Sequence, residues 1–384
     1  MDPERKDRQP RITVILFLLL IFGTAAATIV KPSSVFSETE NRVLAQRPKL
    51  EIEAVINGDY ETDYEEYLTD QFILRDRWIG LKTAVERGVL KRESKDIYFA
   101  GDHYLIEKHT GVFDTPLAKR NLEALSAFTQ QYTEQLGSSH ISVLIIPNAV
   151  DILCDKLPPF APPGSGRDYL ELLKKALPES VFFDAAHILD DHRDEELYYR
   201  TDHHWKTLAA FYVYQAWARE KGCACPELSD YERRAVTDSF EGTIQSKLGI
   251  RTVKDTIELF LPEHDISCTI HQENLTKNAI YDYAALDGKD KYAVFLGGNE
   301  PFLRITTAAG NGRKILVIKD SYANCFIPFM LGEFEELHIL DLRYSSQKLS
   351  KLIQQEQYTD LLILYNASGF AEDISMTKLT ANRQ

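Results

Sequence analysis

Two polar segments combine residue types that could carry out acyl transfer. Thr201-Asp202-His203-His204-Trp205 places a carboxylate two positions before an imidazole, and a serine stands in Lys319-Asp320-Ser321-Tyr322. A carboxylate can orient an imidazole and stabilise its protonated form, and that imidazole can then act as general base toward a serine hydroxyl. The residue types therefore suggest Asp202, His204 and Ser321 as a catalytic set, provided that the fold brings them together.

Each segment also has a simpler interpretation. Asp202 could merely cap the helix expected from Thr207, with the neighbouring histidines on the surface. Ser321 stands where an apolar strand ends and a helix over residues 322–331 is expected, and Ser is a common N-cap at such a position. If the helix is present, backbone N–H groups of its first turn could instead hold an oxyanion beside the hydroxyl.

Metal binding is a further alternative for the histidine segment. His203 and His204 could be metal ligands, with His187 and His192 close enough in sequence to complete a site. Cys223-Ala-Cys225 has one intervening residue where zinc and redox motifs have two, so a buried thiol or a loop is the simpler interpretation. The five cysteines are too few and too scattered for a disulfide framework.

Two other polar segments directly follow apolar runs. Arg343 follows Leu340-Asp341-Leu342, and Asn366 follows Leu364-Tyr365. Loops at the carboxyl edge of a parallel sheet are where ligands bind in such folds. Arg343 could fix a polar substrate group, and the Asn366 amide could donate a hydrogen bond to a developing oxyanion.

The elements that must position these residues alternate along the chain. Apolar runs predict strands at 141–146, 181–183, 314–318, 337–340 and 360–364, and helical spacing predicts helices at 117–136, 169–177 and 207–221. Strands that are apolar throughout are covered on both faces, so we predict an α/β fold with a parallel sheet in a three-layer sandwich. Residues 229–307 alternate less cleanly and are predicted to be a β-rich insertion.

The N-terminus predicts a membrane anchor. Residues 12–30 carry no charge, and as a helix they would reach roughly 28 Å, close to the thickness of a bilayer core. Arg5, Lys6, Arg8 and Arg11 precede them and keep residues 1–11 in the cytoplasm by the positive-inside rule. A cleaved signal peptide is the alternative, because Ala25-Ala26-Ala27 fits the pattern of a cleavage site. In both cases the remainder is exported, with a stalk and helical lead-in at 31–100 and the main domain at 101–384.

Composition narrows the class of partner. The chain has 384 residues, of which 44% are hydrophobic and 27% charged, as in an ordinary globular protein. Its net charge of -14 argues against a general affinity for nucleic acid or anionic lipid, which needs clustered Lys and Arg. A neutral or weakly charged partner fits better.

The motifs taken together resemble a known family. The chain resembles the DHHW family, named for the motif at 202–205, and through it the alginate O-acetyltransferase-like branch of the SGNH hydrolases. The resemblance runs from about Ser37 to the C-terminus. Further landmarks are, in chain order, Glu40-Asn41-Arg42, Phe240-Glu-Gly-Thr243, Phe295-Leu-Gly-Gly-Asn299, Lys319-Asp-Ser-Tyr322 and Phe326-Ile-Pro328.

The resemblance implies an SGNH-like fold in which the Asp-x-His element precedes the serine. By this analogy Asp202 orients His204, which is the base for the nucleophile Ser321. The residues implied at the oxyanion and substrate side are Asn366, Arg343, His203 and Lys319. The family's usual Gly before Asp-Ser is replaced by Lys319, whose side chain could crowd the approach of an acyl donor.

Together with the predicted anchor, the resemblance implies a single-pass membrane protein whose enzymatic domain is extracytoplasmic. It would be an O-acyl transferase, in particular an acetyltransferase, or an esterase that acts on a cell-surface polysaccharide without a cofactor. A membrane acyltransferase would supply the acyl group. The alternative is a module that has lost catalysis and binds glycan or supports a polysaccharide modification system.

Overall fold

The computed structural model describes residues 3–37, 42–178, 180–263, 267–272 and 275–380. Glu40 and Asn41 of the first landmark lie outside these residues. The chain divides into two compact units, one comprising the chain up to Leu90 with Ser246–Ile250, the other comprising Lys91–Gln245 and the chain from Arg251. The sequence predicted a boundary ten residues later, at 100/101.

The described residues form the following α-helices and β-strands, numbered in chain order. The α-helices are α1 (Pro3–Val30), α2 (Ile52–Asn57), α3 (Asp59–Gln71), α4 (Arg75–Gly88), α5 (Pro116–Leu136), α6 (Ala149–Ile152), α7 (Gly166–Ala176), α8 (Ala185–Asp191), α9 (Thr207–Lys221), α10 (Thr243–Leu248), α11 (Leu349–Glu356) and α12 (Ala367–Glu372). The strands are β1 (Phe36–Ser37), β2 (Arg42–Val43), β3 (Glu93–Ser94), β4 (Ile97–Phe99), β5 (Leu105–Glu107), β6 (Ile141–Ile146), β7 (Tyr231–Phe240), β8 (Asp255–Pro262), β9 (Cys268–His271), β10 (Thr276–Lys277), β11 (Phe302–Thr307), β12 (Lys314–Lys319), β13 (Glu336–Leu340) and β14 (Asp360–Asn366).

The N-terminal unit begins with an apolar helix. In the part of the chain that the structure describes, one helix is long and apolar enough to cross a membrane, namely α1 over Arg11–Val30. No residue of that stretch is buried. Membrane anchors and signal sequences share these properties, so both predicted alternatives are compatible with α1.

A mixed sheet forms the centre of the second unit. Within the described residues, seven strands pair in the order β10-β9-β11-β13-β12-β14-β6. The last four of these strands are parallel, whereas β11, β9 and β10 join antiparallel. The prediction of a parallel sheet is therefore wrong for three strands. They come from the segment predicted to be an insertion and extend the sheet itself.

The pattern of burial explains why these added strands run antiparallel. In β11, Leu303 and Ile305 are buried, whereas Arg304 and Thr306 alternate with them and are partly exposed. Antiparallel strands tolerate one face in water, whereas parallel strands are found with both faces covered. β7 and β8 form a separate two-stranded antiparallel sheet.

Helices cover both faces of the parallel part. Ile315 and Val317 of β12 contribute to one apolar cluster and Leu316 and Ile318 to another, because successive strand residues point to opposite faces. The first cluster includes the apolar side of α9, and the second includes those of α5 and α7. These three helices coincide closely with those predicted from the sequence.

One predicted strand is not a strand. In the segment predicted as 181–183, Phe182 forms a single bridge with Val143. The Val143 N–H donates to the Val181 carbonyl at 2.8 Å, and the Phe183 N–H donates to the Val143 carbonyl at 3.0 Å. Asp184 then caps α8 at once, so the extended segment ends after these two hydrogen bonds.

The predicted helix after Ser321 is also different. Two 3₁₀ helices, Ser321–Cys325 and Ile327–Met330, occupy this segment instead of one α-helix. Pro328 has no N–H, so an α-helix could not run through it with its hydrogen bonds intact.

The buried carboxyl group of Asp151 leads to a prediction about how stability depends on pH. Asp151 is buried in α6, and its Oδ1 accepts a hydrogen bond from the Gly166 N–H at 3.1 Å. Burial raises the pKa of Asp151 to about 6, against opposing hydrogen bonds and the nearby Arg167. Because the folded state holds this proton more tightly than the unfolded state, the group favours folding at low pH. That contribution is lost as the pH rises through about 6.

We expect Asp151→Asn, which cannot ionise, to raise the free energy of unfolding at pH 8 by on the order of 1–3 kcal/mol. Its stability should also change less between pH 4 and 6 than that of the unmodified chain. Urea denaturation in detergent, followed by the fluorescence of the buried Trp205 and Trp217, measures both effects. Asp194→Asn, at an exposed position, is the matched control. Equal stability of the Asp151 variant and the unmodified chain at pH 8 would contradict the prediction.

Candidate active site

The two polar segments meet through one hydrogen bond. His204 Nε2 lies 2.7 Å from Ser321 Oγ, although the residues are 117 positions apart. His204 Nδ1 lies 2.5 Å from Asp202 Oδ1. Asp202 and His204 are buried, whereas Ser321 is partly exposed. A reacting group could therefore reach the hydroxyl while the carboxylate stays shielded from water.

Neighbouring imidazoles and hydrogen bonds keep Asp202 ionised. Its Oδ1 also accepts the His204 N–H at 3.0 Å, and its Oδ2 accepts the N–H and the hydroxyl of Thr243 at 2.8 and 3.0 Å. Burial alone would raise the pKa of Asp202, but the imidazoles of His203 and His204 and these hydrogen bonds hold it far below its usual value. An ionised carboxylate can only accept, so Nδ1 of His204 carries a proton and Nε2 is left to accept the proton of the serine hydroxyl.

The landmark Phe240-Glu-Gly-Thr243 has a steric explanation. A Cβ on Gly242 would lie 2.3 Å from Asp202 Cβ and 2.5 Å from the Thr201 carbonyl oxygen. The Gly242 N–H donates to Thr201 Oγ1 at 3.0 Å, and Asp255 accepts the N–H and hydroxyl of Thr201 at 2.8 and 2.6 Å. Only glycine permits this approach, and the approach brings Thr243 within reach of the carboxylate.

The histidine beside the base has a contact of its own. His203 Nδ1 lies 2.9 Å from Thr243 Oγ1, and its ring lies 3.9 Å from the ring of His204. About a third of the His203 side chain is exposed. His203 thus borders the accessible side of the site, and its role toward substrate stays a prediction.

A metal ion would have to compete with these contacts. Asp202, His203 and His204 each offer one potential ligand atom, and these atoms lie within 4.8 Å of one another. Both ring nitrogens of His204, however, are already engaged by the carboxylate and the serine hydroxyl. Among the described residues, His187 and His192 do not join this group, and neither do the cysteines of the Cys-Ala-Cys segment.

The residue before the serine organises the surrounding loop. Asp320 Oδ1 accepts a hydrogen bond from the Tyr322 N–H at 2.8 Å. Its Oδ2 accepts one from the backbone N–H of Asn366 at 2.9 Å and one from the Asn366 side-chain amide at 2.6 Å. The Tyr322 N–H, expected among the oxyanion donors, is therefore occupied by Asp320. The Asn366 amide also contacts Asp320, and its oxyanion role stays a prediction. Burial raises the pKa of Asp320, opposed by Arg343.

Lys319 is buried, and its amine does not project toward solvent. Its Nζ donates to Asn299 Oδ1 at 2.8 Å and Asn324 Oδ1 at 2.7 Å, and it lies 3.9 Å from Asp341 Oδ2. Burial lowers the pKa of Lys319 to about 8. The amine is thus held by hydrogen bonds to two asparagine side chains, which argues against the crowding suggested by the sequence. Arg343 pairs with Asp341 through Nε and Nη2 at 2.9 and 2.6 Å, and a third of its side chain remains exposed.

Aromatic contacts join the histidine segment to the serine segment. Trp205 Nε1–H donates to the Tyr322 carbonyl at 2.9 Å, and the Tyr322 hydroxyl donates to the His203 carbonyl at 2.5 Å. The ring of Tyr292 stacks on that of His204 at 3.8 Å and 16°. Tyr292 was missed by sequence reasoning, and its position three residues before the 295–299 landmark was the available signal.

A family model supports the motif-based resemblance. The model described as DHHW protein matches residues 127–340. The chain therefore belongs to the DHHW family. A comparison with curated protein sequences finds no match.

Two solved structures with TM-scores of 0.60 show the same fold. A DHHW family protein from Eubacterium siraeum is similar at 23% identity and a TM-score of 0.60, covering 76% of this chain and 96% of its own. Bacillus cereus PatB1, determined with a sulfonyl adduct, is similar at 21% identity and a TM-score of 0.60, covering 73% and 98%. The O-acetyltransferase domain of Pseudomonas putida AlgJ is less similar, at 10% identity and a TM-score of 0.44, covering 75% and 99%.

The close approach at Gly242 generates a prediction. Gly242→Ala should push Asp202 out of line with His204 and slow the reaction of Ser321 with a fluorophosphonate by about 100-fold, the order expected for a displacement near 1 Å. Mass spectrometry of the intact chain over time measures the rate, and circular dichroism checks folding. Gly288→Ala is the control, because its Cβ would meet nothing closer than 3.4 Å. Equal rates for the two variants would show that this approach does not position the carboxylate.

Proposed function

We propose that this chain is a membrane-anchored serine acyltransferase or esterase of the SGNH type whose catalytic domain is extracytoplasmic. The observation that carries the proposal is the 2.7 Å contact from Ser321 Oγ to His204 Nε2, with the Asp202 carboxylate at 2.5 Å behind the ring. A hydroxyl in this setting can lose its proton to the imidazole as it attacks an ester. Membership in the DHHW family supports the same class.

The proposed reaction has two halves. Ser321 Oγ bonds to the carbonyl carbon of an ester while its proton moves to His204 Nε2. The carbon–oxygen bond to the donor alcohol then breaks, and this alcohol leaves with the proton from His204. In the second half, His204 takes a proton from the acceptor hydroxyl, which attacks the acyl-enzyme, and the proton returns to Ser321. Asp202 remains ionised throughout and stabilises the imidazolium.

The choice of acyl group and acceptor rests on the family resemblance. It points to an acetyl group and to a cell-surface polysaccharide, with a membrane acyltransferase as the source of the acetyl group. The net charge of -14 favours a neutral or weakly charged glycan over a polyanion. Transfer and hydrolysis differ only in whether a sugar hydroxyl or water attacks the acyl-enzyme.

The proposed location follows from α1. Arg11 is the last of four basic residues that precede the apolar stretch, which would keep the N-terminus in the cytoplasm. Everything after α1 would then lie outside the cytoplasm. Cleavage of α1 as a signal sequence would leave the same domain on the same side.

Covalent labelling tests the proposed nucleophile. We expect a sulfonyl fluoride or fluorophosphonate to add one label to the full chain, and Ser321→Ala to abolish that label. Ser346→Ala, at an exposed serine, should label normally and is the matched control. Asp202→Asn should slow labelling by about 10²- to 10⁴-fold, because the amide no longer fixes the imidazole tautomer.

Turnover of an activated acetyl ester, measured with and without an oligosaccharide acceptor, distinguishes transfer from hydrolysis. Acetylated oligosaccharide identifies a transferase, and free acetate alone identifies an esterase. A folded chain that never labels at Ser321 but retains glycan binding would contradict the proposal and favour the binding module.

A further inference from the structure

Helix α4 carries a narrow apolar stripe that is open to solvent. Leu74 at its N-terminus, then Trp78, Leu81 and Val85, have exposed fractions of 53, 37, 56 and 58%. Their spacing of four, three and four residues places them on one side of the helix. Large apolar side chains aligned in this way indicate a surface that contacts something apolar.

The opposite side of α4 packs within its own unit. Thr83 is buried, and its hydroxyl donates to the Leu248 carbonyl at 2.8 Å. Gly80 lies so close to Gly249 that an added Cβ would come within 2.3 Å of the Gly249 carbonyl oxygen. At 100° per residue, Thr83 lies roughly opposite the stripe. The stripe therefore faces away from the elements that hold α4 in place.

Basic side chains border the stripe. Arg77 and Lys82 are exposed and lie on either side of it, at roughly 60 to 80° from its centre. Lys82 Nζ is 3.9 Å from Glu86 Oε1, a distance that leaves the ammonium available to other groups. A tryptophan on the apolar side with cations at its borders is typical of helices that lie in a membrane interface.

A direct contact links the start of α4 to the apolar helix α1. The Ile73 N–H donates to Thr28 Oγ1 at 3.2 Å, and Thr28 is in the last turn of α1. If α1 crosses a membrane, the end of its apolar stretch marks the extracytoplasmic surface. The first residue of the stripe, Leu74, follows Ile73 directly, so the stripe begins at that surface.

We propose that α4 docks on the extracytoplasmic surface of the membrane that α1 crosses, with the stripe in the interface and Arg77 and Lys82 at the lipid headgroups. This inference rests on the anchoring proposed above and is independent of catalysis. The negative net charge of the whole chain does not oppose it. Because α1 tethers the unit to the membrane, contact is intramolecular and the charges local to α4 decide it.

A second copy of the chain is the competing occupant, and charge disfavours it. Two copies anchored in one membrane would bring their α4 helices together in parallel. Packing along the stripe would then place Arg77 of one helix beside Lys82 of the other, because these positions correspond to the facing g and e positions of a parallel coiled coil. The like charges of Arg77 and Lys82 would oppose pairing of the two helices, whereas both side chains favour contact with an anionic lipid surface.

Tryptophan quenching in single-copy nanodiscs tests the proposal with the full chain. Trp205 and Trp217 are buried, so Trp78 is the tryptophan that lipid can reach. Phosphatidylglycerol and phosphatidylcholine discs carrying bromine at acyl carbons six and seven should quench roughly a third of the emission, since the chain has three tryptophans. Trp78→Phe should remove that quenching.

Variants test the apolar stripe and its basic border separately. Leu81→Gln with Val85→Gln should reduce quenching by about half or more and make Trp78 accessible to iodide. Phe160→Gln with Ile374→Gln, at exposed apolar positions in the other unit, should change neither signal. Arg77→Glu with Lys82→Glu should reduce quenching more in phosphatidylglycerol than in phosphatidylcholine discs.

The outcomes are distinguishable. Loss of quenching in discs that retain the unmodified chain would overturn the docking alone. Protection of Trp78 that appears only when several copies share a vesicle would assign the stripe to a second copy. Failure of the chain to co-purify with discs would overturn both anchor and docking, while labelling of Ser321 would continue to test the catalytic proposal separately.

Discussion

An ionised carboxylate buried behind an imidazole is the constraint on which the site depends. Asp202 loses its hydration on folding, and four hydrogen bonds from His204 and Thr243 replace the lost water. If the carboxylate were neutral, nothing would hold the proton on Nδ1 of the imidazole, and Nε2 could not be relied on to accept from Ser321. The glycine at 242 is therefore a requirement of electrostatics as much as of space, because it allows two donors to reach one buried oxygen.

The sheet delivers the serine to this carboxylate and imidazole. In parallel register, Lys319 at the end of β12 pairs with Leu364 of β14, so the two strand ends lie side by side. Asp320 can then reach Asn366 at the end of β14, and this contact shapes the loop that carries Ser321. The histidine arrives from the other direction, at the start of α9. Packing of that helix on one face of the sheet and the hydrogen bond of Trp205 to the serine loop fix its position.

The elements that could be predicted from the sequence are those whose structure is determined by neighbouring residues in the chain. Buried strands such as 141–146 and 360–364 are mostly apolar, and their signal does not depend on distant residues. The segment 181–183 has the same composition, but whether it becomes a strand depends on how soon the next helix is capped. Asp255 carries no local pattern, and Tyr292 is marked only by its nearness to the 295–299 landmark, because their contacts with the site exist only after segments far apart have packed. Composition likewise could not distinguish antiparallel strands that extend the sheet from a separate insertion.

Lys319 shows why a departure from a family pattern has to be judged in three dimensions. In sequence, a lysine in place of glycine beside the nucleophile suggests a blocked site. In the fold, its amine joins Asn299 of one landmark to Asn324 of the serine segment, with Asp341 close enough to balance a buried charge. A smaller apolar residue would leave the amide oxygen of the buried Asn324 without this donor, at about 1–3 kcal/mol, whereas the exposed Asn299 would still accept from the Asn324 amide. The lysine therefore connects the 295–299 landmark to the loop that carries the serine.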